Sequence, residues 1–351
     1  MTVASQNRTP PEYGVRRLTV ELTNICNLHC SYCLRDEDAL YNSPANFLPV
    51  DLFARIAEGA RDAMGVEHIM FTGGEPTLHR QFADIVAAVA ELSLTCSFVT
   101  NGWHFDRVWP LLAERRETVT HVSFSLDGTT AESHDRWRGK GSFERVVRGF
   151  SRCWAGSYPF NVKVGIRRDT VPHLEQFAIF AARLGAAGLS FAHVMPTSSG
   201  VADASALTLE ERAAAEREIA LLARIFKMRI GIDVDYYNVA HESPCSALNG
   251  VSANVNYRGQ LSLCCNLSGF RGGSGDADIV GDLRHEPFAA ALEHLRAVAA
   301  AQSERRIRAL TLLDAAGETA DLATGSPCLF CLNTLGKTPW GQGLSLKVIG
   351  E

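Results

Sequence analysis

Along the first two hundred residues, short apolar runs alternate with longer stretches in which apolar residues recur every three or four positions. The first pattern fits a pleated strand and the second one face of a helix. Strands are therefore expected at 18–22, 68–72, 95–100, 119–126, 161–166 and 189–194, and helices at 50–64, 82–92, 105–115, 143–154 and 173–184. This alternation argues for an α/β fold, a parallel sheet with helices along one side. Six such units are too few for a closed eight-stranded barrel, and ligands of these sheets bind at the carboxyl ends of the strands.

Beyond residue 200 the pattern changes. The stretch 205–230 is dominated by Ala, Glu, Arg and Leu, and Thr208 and Glu211 at its start have capping-box spacing, so it reads as a bridging helix with solvated charges. Residues 255–257 and 260–263 flank Arg258-Gly259 and read as a β-hairpin. The expected organisation is a tail at 1–17, a barrel domain at 18–200, a bridging segment at 201–235 and a second unit at 236–351. The glycine-rich run 269–275 has no strand before it and no helix after it in the register of a phosphate loop, so it is read as a loop.

Composition narrows the function classes. A net charge of −5 with mixed signs leaves no electrostatic footprint for nucleic acid or an anionic membrane. No run of eighteen apolar residues occurs, and the polar start 1–17 lacks a signal-peptide core, so the expected location is the cytoplasm. In that reducing compartment, ten cysteines argue for metal ligation over disulfides.

Cys26, Cys30 and Cys33 lie on the loop after the first strand. Three thiolates there can hold a four-iron cluster and leave one iron open to a small chelating molecule. After the second strand, Gly73-Gly74-Glu75-Pro76 joins two glycines, whose backbone can approach a ligand, to a carboxylate able to accept from an ammonium group. These two motifs together resemble the radical S-adenosylmethionine (AdoMet) superfamily. The resemblance implies a partial (β/α)6 barrel, a [4Fe-4S] cluster on the three cysteines, and AdoMet on the open iron with its amine at the Gly-Gly-Glu-Pro segment. It also implies an external one-electron donor, flavodoxin- or ferredoxin-like, and a 5′-deoxyadenosyl radical that takes a hydrogen atom from substrate.

Other strand ends carry polar residues. Thr100 and Asn101 close the third strand, and alternation puts Ser125 and Asp127 on one side of the fourth, where a hydroxyl and a carboxylate suit the AdoMet ribose. Asn101-Gly102 and Asp127-Gly128 are also plain turn formers. By resemblance, Arg138 in the His134-Asp135-Arg136-Trp137-Arg138-Gly139 segment lies near the AdoMet carboxylate and Tyr32 packs near adenine; a solvated helix start and loop packing are the alternatives.

A second cysteine set follows: Cys245, then Gly259-x4-Cys264, then Cys328-x2-Cys331. The hairpin returns Cys264 toward the level of Cys245, and four thiolates suit a closed iron-sulfur site or tetrahedral zinc. The spacing resembles the SPASM/twitch extension, as does 279–283 followed by a helix. A full SPASM domain has further cysteines after the CxxC pair, and none follows Cys331, so the resemblance implies the shorter twitch type with one auxiliary [4Fe-4S] cluster. Cys96 and Cys153 are expected in the core. Cys265 stays open: packing, a substitute ligand, or a thiol that returns a hydrogen atom to a substrate radical, as in some radical epimerases.

The implied activity is oxidation or crosslinking of a natural product, a sugar or aminocyclitol or a ribosomal peptide, with epimerisation through Cys265 as the alternative. A non-enzymatic electron carrier is the competing class, and the AdoMet cradle speaks against it. Seventeen residues before the first strand leave no room for a separate peptide-recognition domain, which favours a small molecule. The end Ile349-Gly350-Glu351 lacks the Gly-Gly tail of the molybdenum-cofactor cyclase branch.

Overall fold

The computed structural model describes residues 16–35, 38–195, 197, 207–241, 245–271 and 275–338. Most of the N-terminal tail, the start of the bridging segment, the middle of the glycine-rich run and the final Ile349-Gly350-Glu351 lie outside the described residues. The alternation resolves into strands β1 (Arg17–Glu21), β2 (His68–Thr72), β3 (Thr95–Thr100), β4 (Val119–Leu126), β5 (Phe160–Ile166) and β6 (Gly188–His193). Between them run α1 (Val50–Met64), α2 (Phe82–Glu91), α3 (Phe105–Glu114), α4 (Ala131–Arg138), α5 (Ser142–Ala155) and α6 (Leu174–Arg183). Each of the six expected strands agrees with the observed one to within a residue.

The sheet is larger than expected. It holds ten strands in the order β10-β9-β8-β1-β2-β3-β4-β5-β6-β7, with β7 (Arg229–Val234), β8 (Ser252–Val255), β9 (Gln260–Ser262) and β10 (Ile279–Asp282). Strand β7 pairs parallel with β6 and follows α7 (Leu209–Ile225), so the bridging segment ends in a seventh barrel strand. Its alternation of Ile230, Ile232 and Val234 carries the strand signal. The hairpin lies slightly earlier than its expected span: Asn256 Oδ1 accepts the amides of Arg258 and Gln260 at 2.9 and 3.1 Å, closing the turn before β9. Strand β8 pairs parallel with β1, so the second unit continues the sheet of the first.

Why the sheet buries one face is visible in β2 and β5. Ile69 and Phe71, and Phe160, Val162, Val164 and Ile166, are buried, while the intervening residues are half-exposed. Phe71 meets Phe53 of α1 and Phe82 of α2, and Phe160 stacks on Phe150 of α5 at 5.2 Å, so the buried face is the helix face. The opposite face is polar. His68 meets the Thr95 and Ser97 hydroxyls at 2.9 and 2.8 Å, and Lys163 donates to Ser190 Oγ at 3.3 Å and pairs with Asp233. Helix α8 (Phe288–Ala316) lies against α1, and α9 (Leu322–Gly325) and α10 (Pro327–Thr334) follow it. One apolar core runs from Leu18 through Val255 and Leu261 to Leu332. Cys96 and Cys153 are buried in it. No helix among the described residues is long and apolar enough to cross a membrane.

Candidate active site

The three-cysteine loop leaves β1 and is fastened at its base. The Thr23 hydroxyl donates to Asn46 O at 2.8 Å, the Asn24 amide group to Pro44 O at 3.1 Å, and Asn46 N–H to Asn24 Oδ1 at 2.6 Å. Gly74 and Glu75 then donate their amides to Thr23 O and Ile25 O at 2.9 and 2.8 Å. This pairing explains both glycines. Gly73 has φ +117°, and a Cβ on Gly74 would stand 2.0 Å from the Ile25 carbonyl oxygen. The backbone that comes so close is the cysteine loop itself, a use of the glycines that the motif alone did not show.

Glu75 is 2% exposed. Its Oε1 accepts the Thr77 amide and hydroxyl at 3.2 and 2.7 Å and the Thr100 hydroxyl at 2.8 Å; its Oε2 accepts the Asn101 amide at 2.8 Å. Burial pushes its pKa up against these donors. The carboxylate thus ties the end of β2 to the end of β3; three donors crowd Oε1 and a single one meets Oε2, which keeps a lone pair unused. Asn101 carries the tie onward, its side-chain amide lying 3.1 Å from Asn27 Oδ1 and 3.8 Å from Cys26 Sγ. Cys26, Cys30 and Cys33 are each partly buried. Burial lifts Cys26 to about 12 and Cys30 to about 11, so they stay protonated unless a metal takes the proton's place. Soft donors, partial exposure and a rigid base fit an iron-sulfur cluster.

Tyr32, Asp127 and Arg138, expected around AdoMet, come together in one buried knot with Arg167. Asp127 Oδ2 accepts from the Tyr32 hydroxyl and from Arg138 Nε, while Arg167 Nη1 reaches Oδ1 at 2.7 Å. Arg138 also donates to the Tyr32 oxygen at 2.6 Å, and Arg167 lies 4.2 Å from the Trp137 ring centroid. Burial alone would raise the Asp127 carboxyl, but the two guanidiniums outweigh it and hold it well below the usual carboxylate range. Both oxygens of Asp127 are therefore occupied within the protein, and Arg138 is paired to a protein carboxylate. Ser125 is half-buried two residues earlier and outside the knot. Arg167 went unassigned in the sequence, although a charged residue directly after β5 meets the strand-end criterion that singled out Asp127.

The second cysteine set converges. Cys245, Cys264, Cys328 and Cys331 line one cavity, with Leu248, Leu263, Leu267 and Leu332 among its apolar walls. Burial raises all four thiols, Cys331 to about 12; for Cys264 a hydrogen bond with Cys265 contributes most. Among the described residues no three His, Cys, Asp or Glu side chains are drawn together as around a single metal ion. The thiols enclose a space instead. Cys265 is not part of the cavity wall; the charged groups around it include Arg35, Glu21 and Lys163. The loop after Cys265 docks on the three-cysteine loop: Arg271 N–H donates to Leu34 O at 2.8 Å, and Arg35 donates to Ser268 O.

Residues 20–181 match the family model described as the radical SAM superfamily. The mycofactocin maturase MftC of Mycobacterium tuberculosis (strain CDC 1551 / Oshkosh) is 34% identical over 189 residues, 52% of this chain and 46% of its own length. GTP 3',8-cyclase of Synechocystis sp. is 30% identical over 45% of this chain and 48% of its own length. The chain thus spans about half the length of the curated relatives it matches. Streptococcus suis SuiB bound to precursor peptide SuiA superposes with a TM-score of 0.60 at 14% identity, over 79% of this chain and 66% of that one. Native anSMEcpe with bound AdoMet and Cp18Cys peptide gives 0.64 at 18%, over 82% and 83%. At these identities the structural matches speak to the fold.

Proposed function

The chain belongs to the radical SAM superfamily through its domain at residues 20–181, and from that premise we propose that it cleaves AdoMet reductively and oxidises or crosslinks a peptide. Membership implies a [4Fe-4S] cluster and AdoMet. The observation that carries the reading is the partly buried Cys26, Cys30 and Cys33, set on a loop whose base is hydrogen-bonded to the ends of β2 and β3. When bound there, the cluster supplies the electron that breaks the carbon-sulfur bond of AdoMet. The chain's own residues hold and orient: Glu75 offers its free Oε2 site to the AdoMet amine, and Thr100 and Asn101 keep that carboxylate in place. Asp127 acts as a positioning residue that fixes Tyr32 and Arg138 for the adenine and carboxylate ends. Cys245, Cys264, Cys328 and Cys331 take a second [4Fe-4S] cluster in their cavity, which accepts the electron an oxidation releases.

Similarity to a maturase and to two structures with peptides moves the proposed substrate from a small molecule to a peptide. The polar inner sheet face, with His68, Ser97 and Lys163, suits amide and side-chain groups. The test is reduced, reconstituted protein with AdoMet and short peptides encoded beside its gene. Formation of 5′-deoxyadenosine together with a peptide lighter by a pair of hydrogens supports the reading, and 5′-deoxyadenosine with every peptide unchanged sinks the substrate half of it. Epimerisation is the second reading, favoured by Cys265 lying off the cavity wall with Lys163 of the inner face among the charges around it.

A further inference from the structure

Among the described residues Arg167, Arg212 and Arg306 are buried and Arg35 and Arg138 nearly so, and all of these but Arg306 are paired with a carboxylate. Arg35 meets Glu21 at 3.0 Å, Arg138 and Arg167 share Asp127, and Arg212 meets Asp235 at 2.9 Å. The fifth, Arg306 of α8, is 1% exposed, and no carboxylate among the described residues pairs with it. Its Nη2 donates to the carbonyls of Asn238 and Gly325, the latter at 3.3 Å, and its Nε has no acceptor. A guanidinium does not shed its proton, and a buried cation without a counter-charge is unfavourable even after relaxation. Gly325, whose carbonyl Arg306 binds, lies three residues before Cys328, and Cys331, Cys245, Cys328 and Tyr236 are the electrostatic neighbours of Arg306.

Four thiolates on an iron-sulfur cluster carry a net negative charge in a site of low dielectric, where a nearby cation acts strongly. We infer that Arg306 is the counter-charge of the four-thiolate centre and raises its reduction potential, making that centre a better electron acceptor. The inference rests on the proposal that Cys245, Cys264, Cys328 and Cys331 hold a redox cluster. Arg306 touches no reacting atom; it is a positioning charge supplied by the second unit.

The experiment is a potentiometric titration followed by electron paramagnetic resonance on reconstituted wild type, Arg306→Met, Arg306→Gln and Arg306→Lys, with iron counted in each. Glutamine keeps a donor for the Asn238 and Gly325 carbonyls while removing the charge. Both neutral variants are expected to shift the second cluster's one-electron equilibrium about tenfold toward the oxidised form, roughly 59 mV lower in midpoint. Lysine keeps the wild-type value, and the first cluster does not move. An unmoved midpoint in the neutral variants, equal shifts of both clusters, or a lysine variant shifted as far as the neutral ones overturns the inference. So does failure of both neutral variants to fold without metal, which would assign Arg306 to structure. Wild type with only four irons, or with zinc, sinks the premise itself, and that is read from the metal count before any variant is made.

Discussion

The two cysteine sites of this chain are built on opposite electrostatic plans. Around Cys26, Cys30 and Cys33 the framework is polar and balanced within itself: Glu75 takes four donors, and Asp127 is shared by two guanidiniums and a phenol. Around Cys245, Cys264, Cys328 and Cys331 the walls are largely apolar, and the nearby Arg306 has no carboxylate partner among the described residues. A site that must admit a charged ligand such as AdoMet benefits from a self-balanced rim, which stays folded with the ligand present or absent. A closed site can leave its charge to be balanced by what it holds.

Replacing all three of Cys26, Cys30 and Cys33 by Ala is the severest break. It should remove about four irons and abolish 5′-deoxyadenosine formation, measured by metal analysis and chromatography. Cleavage that survives would mean that the open site lies elsewhere and that these three cysteines belong to neither plan.

Next in size is Asp127→Asn, which leaves Arg138 and Arg167 buried beside a neutral group. Breaking a buried pair in this way costs about 3–5 kcal/mol. The pH dependence has a definite sign. The native carboxyl is held below its ordinary value of about 3.9, so its contribution is complete above that pH and is lost as the pH falls toward the lowered native value. Denaturant midpoints from pH 7 to 3 should fall for wild type at the acid end and stay flatter for the variant. Parallel curves would show that the knot around Asp127 is not the balanced element of the rim.

Much of the rim was readable because its residues sit at positions that sequence marks, the ends of apolar runs. Glu75, Thr100, Asn101 and Asp127 fall there or just after, whereas Tyr32 and Arg138 were reached through the family resemblance. Their partners were less readable. That Arg138 pairs with Asp127, or that Gly74 is required by the Ile25 carbonyl, depends on contacts between segments far apart in the chain. Arg306 is invisible by any periodic signal, since it is one arginine among many on the 29-residue α8 and only packing reveals its burial. Strand β7 shows the opposite failure, an alternation present in the sequence but absorbed into the helix before it.

A milder change probes the second site. With Cys328 and Cys331 both replaced by Ser, iron should fall from roughly eight to roughly four per chain while AdoMet cleavage persists. Stoichiometric zinc in anaerobically purified wild type would instead make the apolar site a structural one. At the first site, Glu75→Ala should weaken AdoMet binding with no loss of iron, read by titration of the reconstituted protein. Its loss also frees Thr100 and the Asn101 amide, so part of the effect should appear as a lower melting temperature. Unchanged affinity would place the amine elsewhere.

The smallest expected effect on radical formation, and the one that decides the outcome of the reaction, belongs to Cys265→Ala. Cys265 lies beside a member of the four-thiol set yet outside its cavity wall, near Arg35 and Glu21 of the first site's framework. It therefore stands at the junction of the two plans. If the reaction is an oxidation, the variant should cleave AdoMet and release product at the wild-type rate, and product formed in deuterated water should carry no deuterium at the reacting carbon. If the reaction is an epimerisation, AdoMet cleavage should again persist, but product should fail to appear. Wild-type product should then carry solvent deuterium, because a thiol exchanges its hydrogen with water before giving it up. The four-thiol cavity is the larger feature, so oxidation with an unlabelled product is the expected result. Deuterium in wild-type product, lost together with turnover in the variant, would reverse that order and turn the second cluster from electron acceptor into support for the thiol beside it.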